Sequence, residues 1–288
     1  GMNILLDVLA YNTHYLGYNA NMLANEMYLD SASQRSSVVS LAKQVGYTPR
    51  SATSSKATID VTVNNASGSS ITMSRGTKFT STVDGTAYNF VNNADVSISP
   101  VDGVYKFSNL EVFEGTFLNF KYTVNTADTE QRFVIPNDDV DTTTLTVKIQ
   151  ESATDTTTNT YTLASGITGL DSTSKVYFLQ EVENGRFEVY FGDGVLGKAV
   201  ADGNIVILDY ITCNRDAPNG ASTFTLSGNV GGFTNVTIST IGNAAGGDSP
   251  ETIKSIKYNA PRDYTSQDRA VTADDYKVLV KSLYANAQ

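Results

Sequence analysis

Tryptophan is absent from this sequence of 288 residues, and cysteine and histidine occur once each. Cys213 therefore cannot form a disulfide within the chain, and nothing implies an oxidising compartment. His14 and Cys213 are too few to ligate an ordinary zinc site. No nucleophile elbow accompanies His14 to complete a Ser–His–Asp triad. We therefore predict no metal site, no cofactor and no catalytic triad.

Basic residues are scarce, since 20 Lys and Arg stand against 30 Asp and Glu and give a net charge of −10. A nucleic-acid-binding surface needs clustered basic side chains to neutralise phosphates, so we predict no nucleic-acid partner. No segment approaches the roughly 20 apolar residues that cross a bilayer. The amino terminus also lacks the basic flank and long apolar run of a secretion signal. We therefore predict no membrane partner.

The amino terminus does have an apolar repeat close to seven residues, which predicts one long helix over residues 3–29. Two interpretations are open: the helix packs on its own domain, or it pairs with another chain. Tyrosine suits interfaces that are partly wet, which favours a partner-binding surface. Alternating steps of four and three residues place the following side chains, which we call the apolar seam, on one line: Ile4, Val8, Tyr11, Tyr15, Tyr18 and Met22.

A second helix is predicted over residues 33–45, and Gly46 is a typical stop for it. The two helices together define a helical arm over residues 1–50. The side chains expected to face inward from the second helix are Val38, Leu41, Ala42 and Val45.

From Ala57 onward the apolar period changes to two, as in strands with one buried face. Asp84-Gly85 and Asp102-Gly103 predict hairpin turns. The polar, threonine-rich stretch 152–160 is the predicted boundary between a first β-rich module, residues 51–151, and a second, residues 152–247. Residues 248–288 form a terminal helical segment. Because no βαβ pattern occurs, we predict an α+β fold that is predominantly β, with a helical N-terminal arm, two β-rich modules and C-terminal helices.

Three glycines after a predicted strand, Gly192, Gly194 and Gly197, spell the pattern GxGxxG. A nucleotide site needs a helix after such glycines. Asp202-Gly203 instead predicts another turn, and a strand follows it. We therefore predict a glycine-rich hairpin corner.

Two pairs of acids, Glu181 with Glu183 and Glu111 with Glu114, are candidates for a glycosidase. Acids that alternate along a strand are usually solvent-facing, and sugar platforms commonly use tryptophan, which this chain lacks. We therefore expect these four side chains at the surface and predict no enzyme. The aspartates within residues 138–141 do not match a calcium loop.

The terminal segment contains two predicted helix starts. Ser249 is predicted to cap a helix that begins at Pro250, and Pro261 is predicted to end it near Asn259. Thr272 is predicted to cap the next helix, with Asp275 in its first turn.

The strings in this segment are Gly246-Gly247-Asp248-Ser249-Pro250-Glu251-Thr252, Ala260-Pro261-Arg262 and Arg269-Ala270-Val271-Thr272-Ala273-Asp274-Asp275-Tyr276. They resemble the signature of the phage baseplate J-like family, in particular the baseplate wedge protein of T-even-type contractile tails. Similar strings occur in the same order at residues 4–14, 46–50, 132–137, 140–142, 176–181, 191–198 and 202–206. The resemblance therefore covers nearly the whole chain.

This resemblance implies a structural protein of the virion, located in the tail baseplate and assembled in the host cytoplasm. It implies a ring formed by self-association and by contacts with other wedge proteins through helices, without catalytic residues. The apolar seam is then the predicted partner-binding surface. Chains of the family continue past the last residue here, so we expect a fragment. The alternative is a receptor- or polysaccharide-binding tail module, which predicts exposed aromatic side chains clustered at one rim of the β-rich region.

Overall fold

A computed structural model of the chain describes residues 2–164, 166, 169–266, 276 and 280. Strands outnumber helices among these residues, which confirms the predicted α+β fold that is mostly β. The helices are α1 (Met2–Glu26), α2 (Arg35–Gln44) and α3 (Ile253–Ser266). The strands are β1 (Lys56–Val63), β2 (Ile71–Met73), β3 (Lys78–Val83), β4 (Thr86–Asn92), β5 (Val96–Ile98), β6 (Tyr105–Glu114), β7 (Thr116–Thr123), β8 (Phe133–Val134), β9 (Val140–Gln150), β10 (Thr158–Leu163), β11 (Val176–Glu181), β12 (Phe187–Phe191), β13 (Ile205–Thr212), β14 (Thr225–Ser227) and β15 (Val236–Ala245).

The described residues divide into two compact units. The first, which we call the helical unit, lies within residues 1–49, 180–185 and 251–282. The second, the β unit, lies within residues 50–179 and 186–250. None of the helices among the described residues is long and apolar enough to cross a membrane.

The first sheet of the β unit has six strands in the order β14-β3-β4-β6-β1-β15. In β1 the alternation that the sequence predicted is present, with Ile59, Val61 and Val63 buried in the core. The predicted turn at Asp84-Gly85 joins β3 to β4, and both residues have positive φ, +50° and +82°. Such a turn matches the twist of the strands it connects. A separate two-stranded sheet pairs β2 with β5.

The second sheet has seven strands in the order β7-β13-β9-β10-β11-β12-β8. Its core contains alternating apolar residues of β9 and β13, including Val147, Ile149, Val206 and Leu208. Residues 151–157 join β9 to its antiparallel neighbour β10. Strand pairing therefore runs across the boundary predicted near residue 152, because a polar threonine-rich stretch serves equally well as a hairpin loop. The remaining module boundaries stay predictions.

The chain passes from the first sheet to the second at Gly115, the single residue between β6 and β7. Its φ is +132°, and a Cβ at this position would lie 2.2 Å from the carbonyl oxygen of Thr212. The preceding residue, Glu114, is buried and accepts hydrogen bonds from the backbone N–H of Asn214 at 2.9 Å and from its side-chain amide at 2.6 Å. Glycine is required here because the backbones of β7 and β13 approach closely.

Buried polar contacts also connect the two sheets. Arg75 follows β2, and its Nη1 lies 3.1 Å from Oδ2 of Asp209 on β13. Lys148 Nζ lies at the same distance from that oxygen, and Asn119 donates a hydrogen bond to the other oxygen. The guanidinium of Arg75 also stacks over the ring of Phe117 at 4.6 Å. Asp209 thus has a donor for each of its oxygens, as a buried polar group requires.

The helical unit has a small apolar core between α2 and α3. Val38 and Ala42 of α2 are buried as predicted, and Ile256 and Ala260 of α3 pack against them. Gly46 follows α2 with φ +82°, as a helix stop requires.

The predicted start and end of the terminal helix are wrong. Thr252, not Ser249, is the cap: its Oγ1 accepts a hydrogen bond from the N–H of Ser255 at 3.2 Å, and the helix begins at Ile253. Pro261 lies inside α3 and does not end it. The guanidinium of Arg262 donates to the carbonyl of Tyr258 at 2.7 Å, which satisfies an oxygen in the turn that the proline disturbs. The helix predicted from Thr272 and Asp275 lies outside the described residues.

Candidate partner interface

The surface of α1 is apolar along most of its length and is exposed. No residue of this fully described helix is buried. The exposed fraction of the seam side chains ranges from 38% at Met22 to 69% at Ile4. Continuous exposure of this kind is unusual for a monomer in water and typically marks an interaction site. The seam residues are Ile4, Val8, Tyr11, Tyr15, Tyr18 and Met22.

A second apolar stripe runs along α1 beside the seam. At about 100° per residue, it lies roughly a third of a turn around the helix from the seam. Its four leucines are each more than half exposed, with values from 54% to 70%. His14 and Asn21 lie on the remaining side of the helix, which is mostly polar. The stripe consists of Leu5, Leu9, Leu16 and Leu23.

Charge is nearly absent from α1, because Asp7 and Glu26 are its only acids and it contains no lysine or arginine. Tyr11 and Tyr15 pack against each other on the seam, with ring centroids 4.7 Å apart and planes tilted by 50°. A hydrogen bond to Tyr15 raises the pKa of Tyr11. The seam therefore offers apolar ring faces and hydroxyl groups to a partner, and its binding is expected to depend little on salt.

The exposure of the seam bears on the two interpretations of the helix. The described residues of the chain do not bury the seam, which favours the interpretation that α1 pairs with another chain. That interpretation stays a prediction. The sequence period predicted the helix and its apolar line. It did not predict that the line lies open, because exposure depends on where the rest of the chain folds.

A polar cluster in the helical unit holds α2 in place, and sequence reasoning missed it. Arg35, the first residue of α2, binds the buried Glu181 through two parallel contacts, Nε–Oε1 at 2.7 Å and Nη2–Oε2 at 2.8 Å. A third donor of Arg35 binds the carbonyl oxygen of Glu251. The bidentate geometry is the strong form of an arginine–carboxylate pair. No local signal predicts it, since Arg35 and Glu181 are 146 residues apart.

The carboxylate of Glu251 completes this cluster. It accepts hydrogen bonds from the hydroxyl of Tyr47 at 2.8 and 2.9 Å, from Ser255 at 2.7 Å and from Asn259 at 2.8 Å. Burial, and then the charge of Glu251, raise the pKa of Tyr47. Tyr47, Ser255 and Asn259 thus converge on one carboxylate and tie the segment after α2 to α3.

The two acid pairs are distributed differently from the prediction. Glu181 and Glu114 are buried, so their expected place at the surface is wrong. Long-range donors explain the burial: Arg35 satisfies Glu181, and Asn214 satisfies Glu114. Burial raises the pKa of Glu114.

The glycine-rich segment after β12 is a turn, as predicted, but not a hairpin. Asp193 Oδ1 accepts the N–H groups of Val195 at 2.9 Å and Leu196 at 3.0 Å, and Gly194 and Gly197 have positive φ. The flanking strands, β12 and β13, are not neighbours in the sheet. A side-chain carboxylate occupies the N–H groups that a phosphate would need.

The remaining candidates for catalysis or metal binding are Cys213 and the other acidic side chains. Cys213 is buried, as predicted, and burial raises the pKa of its thiol to about 11. In the described part of the chain, no three His, Cys, Asp or Glu side chains group as metal ligands would.

Exposed aromatic side chains of the described β unit are Phe120 on β7 and Tyr190 on β12. Phe120 packs against Tyr122 of the same strand, with ring centroids 5.0 Å apart. Tyr190 stacks on Phe178 with centroids 5.2 Å apart. The alternative of a receptor- or polysaccharide-binding module stays a prediction.

Comparison with known proteins finds two matching family models. Residues 1–47 match the helical domain of the baseplate wedge protein gp6-like family. Residues 119–220 match the third domain of the bacteriophage baseplate wedge protein gp6. The first match contains α1 and α2, and the second contains most of the second sheet.

A curated relative, baseplate wedge protein gp6 of Enterobacteria phage T4, is 28% identical over 312 aligned positions. The alignment covers 99% of this chain and 46% of the relative. The chain thus spans about half the length of that relative.

Proposed function

We propose that this chain, a member of the family of phage baseplate wedge proteins, is a structural subunit of the virion tail baseplate. It assembles into a ring by self-association and by contacts with the other wedge proteins. We propose that it assembles in the host cytoplasm without catalytic activity, and that it binds neither nucleic acid nor membrane.

The observation that carries this proposal is the exposure of α1. A helix of 25 residues with no buried side chain gains nothing from packing on its own domain. Most helical stability in proteins comes from tertiary packing of an amphipathic face. We propose that a partner helix covers the apolar seam and supplies that contact.

The size of the seam fits a cooperative assembly. Complete burial of one fully exposed large apolar side chain contributes about 1.5–3 kcal/mol. The six seam side chains are 38–69% exposed, so covering them contributes roughly 5–10 kcal/mol before costs. Association itself costs about 4–15 kcal/mol in lost freedom and ordering. A single seam contact is therefore of modest net strength. Closing a ring makes the later contacts intramolecular and raises the overall stability without new surface.

The direct test replaces Tyr11 and Tyr15 with alanine together. Truncating a buried aromatic anchor commonly costs at least about 2 kcal/mol, so we expect association to weaken at least about 30-fold. Light scattering on a size-exclusion column would measure the mass of the chain alone and mixed with the other wedge proteins of the same virus.

The matched control replaces His14 and Asn21 with alanine, because both lie on the mostly polar side of the same exposed helix. This control should assemble like the parent. Circular dichroism should show the same strand signal in all three proteins, which excludes loss of the β unit as the cause. If the tyrosine variant assembles as well as the parent, the seam is not the partner-binding surface.

A further inference from the structure

The connection between α1 and α2, residues 27–34, carries caps on both helix ends. Glu26, the last residue of α1, reaches the start of α2. Its Oε1 accepts hydrogen bonds from the backbone N–H of Ser33 at 2.8 Å and from the Ser33 hydroxyl at 2.6 Å. The Oε2 of Glu26 accepts a hydrogen bond from the backbone N–H of Gln34 at 3.3 Å. Gln34 is the N-cap of α2, and its own side chain makes no capping hydrogen bond. Glu26 therefore supplies the negative group that a helix N-terminus favours.

The opposite cap comes from Ser31. Its hydroxyl donates a hydrogen bond to the carbonyl oxygen of Asn25 at 2.6 Å, in the last turn of α1. The last carbonyls of a helix have no partner within the helix, so this bond satisfies one of them. Glu26 of α1 therefore caps α2, and Ser31 of the connection caps α1. The first bond ties α1 directly to the start of α2, and the second ties the end of α1 to the connection.

The connection is also packed and contains no glycine or proline. Ala32 is completely buried in the core of the helical unit, and Leu29 packs against the same core. Lys257 of α3 donates from Nζ to the carbonyl oxygen of Asp30 at 2.9 Å. A flexible linker would have none of these contacts, and its composition would be rich in glycine and serine.

We infer that Glu26 and Ser31 are positioning residues that fix the direction in which α1 leaves the core of α2 and α3. This inference rests on the proposed function, in which α1 meets a partner. Since no side chain of α1 is buried, the connection is what sets its direction. At 1.5 Å per residue, 25 residues span about 37 Å, so a change of about 10° at the connection moves the far end by roughly 6 Å. A preset direction lowers the ordering cost of each contact in a ring.

The test measures the direction of α1 in the full chain by double electron–electron resonance. Spin labels at Asn3→Cys and Ser40→Cys, in a Cys213→Ala background, report the distance from the far end of α1 to α2. A second labelled pair, Asn3→Cys with Asn21→Cys, spans about 27 Å within α1 and reports whether the helix is intact. Dilution with unlabelled chain removes distances between copies.

We expect narrow distributions for both pairs in the parent. Glu26→Ala and Ser31→Ala should each broaden the distribution of distances between the labels at positions 3 and 40. The population of chains in which α1 points in another direction should rise about fivefold or more, as expected for loss of a cap. The pair within α1 should stay narrow. Asp7→Ala is the matched control, because it removes the same charge from the same helix, and among the described residues the Asp7 side chain makes no hydrogen bond.

Several outcomes overturn the inference. If the distances between the labels at positions 3 and 40 are already broadly distributed in the parent, the direction of α1 is not fixed. A broad distribution within α1 means that there is no rigid arm to direct. Glu26→Ala and Ser31→Ala distributions as narrow as the parent mean that other contacts set the angle. None of these outcomes depends on partner binding, so the tyrosine experiment can fail while this one succeeds, or the reverse.

Discussion

The passage of the chain between the two sheets depends on Gly115, and its replacement by alanine tests the described geometry. The new Cβ would lie 2.2 Å from the Thr212 carbonyl oxygen and 2.7 Å from Cγ2 of Ile211. Contacts this short require the backbone to move. The movement would occur where the N–H of Gly115 donates to the carbonyl of Asn89 at 2.8 Å and where β7 begins its pairing with β13.

The expected cost adds three contributions. A side chain held at φ +132° costs about 1–3 kcal/mol in backbone strain. Forcing a methyl group into a filled position costs about 1–3 kcal/mol. A disturbed backbone hydrogen bond adds roughly 0.5–1.5 kcal/mol. The total, about 3–7 kcal/mol, is a large part of the 5–15 kcal/mol by which folded proteins are typically stable.

The assay is urea unfolding of the parent and of Gly115→Ala, followed by circular dichroism and by tyrosine fluorescence, since the chain has no tryptophan. Gly85→Ala is the matched control: Gly85 also has positive φ, +82°, but a Cβ there would meet nothing within 4 Å. Its expected cost is the conformational part alone, about 1–2 kcal/mol. If Gly115→Ala loses no more stability than Gly85→Ala, the close approach of β7 and β13 is wrong.

Two further predictions concern buried carboxylates. Arg35→Ala leaves Glu181 buried without its bidentate partner and should destabilise the helical unit by about 3 kcal/mol. Hydrogen exchange of the α2 amides would measure this loss of stability. Arg35→Lys should recover less than half of the lost stability, because lysine cannot form the paired contact. Burial raises the pKa of Glu114, so its carboxyl group binds a proton more tightly in the folded state than in the unfolded state. The free energy of unfolding should therefore fall as the pH rises from 4.5 through the folded-state pKa. Glu114→Gln has no carboxyl proton to lose, so its free energy of unfolding should rise relative to that of the parent toward neutral pH. Urea titrations at several pH values would measure this difference, and a difference that stays constant with pH would contradict the predicted direction.

Sequence patterns predicted the helices, strands and turns whose structure depends on residues close together in the chain. The alternation in β1, the Asp-Gly turn after β3 and the buried face of α2 follow from residues close together in the chain. The heptad steps likewise predicted α1 and its seam, though not that the seam would be exposed.

Long-range partners decided the rest. Glu114 and Glu181 are buried because Asn214 and Arg35 reach them from 100 and 146 residues away. Nothing in the sequence around either glutamate indicates those donors. Pro261 was expected to end α3, but tertiary packing of Ile256 and Ala260 outweighs the local preference against proline in a helix interior.

The strand order has a consequence for synthesis. All seven strands of the second sheet lie between residues 116 and 212, whereas the first sheet takes β1, β3, β4 and β6 from before that segment and β14 and β15 from after it. A ribosome, working from the amino terminus, therefore delivers every strand of the second sheet while the first still lacks two. During that interval β1 has β6 on one side and an open edge on the other, the edge that β15 later covers. A nascent chain paused before residue 225 would present this edge, with its alternating Ile59, Val61 and Val63, to any neighbouring chain.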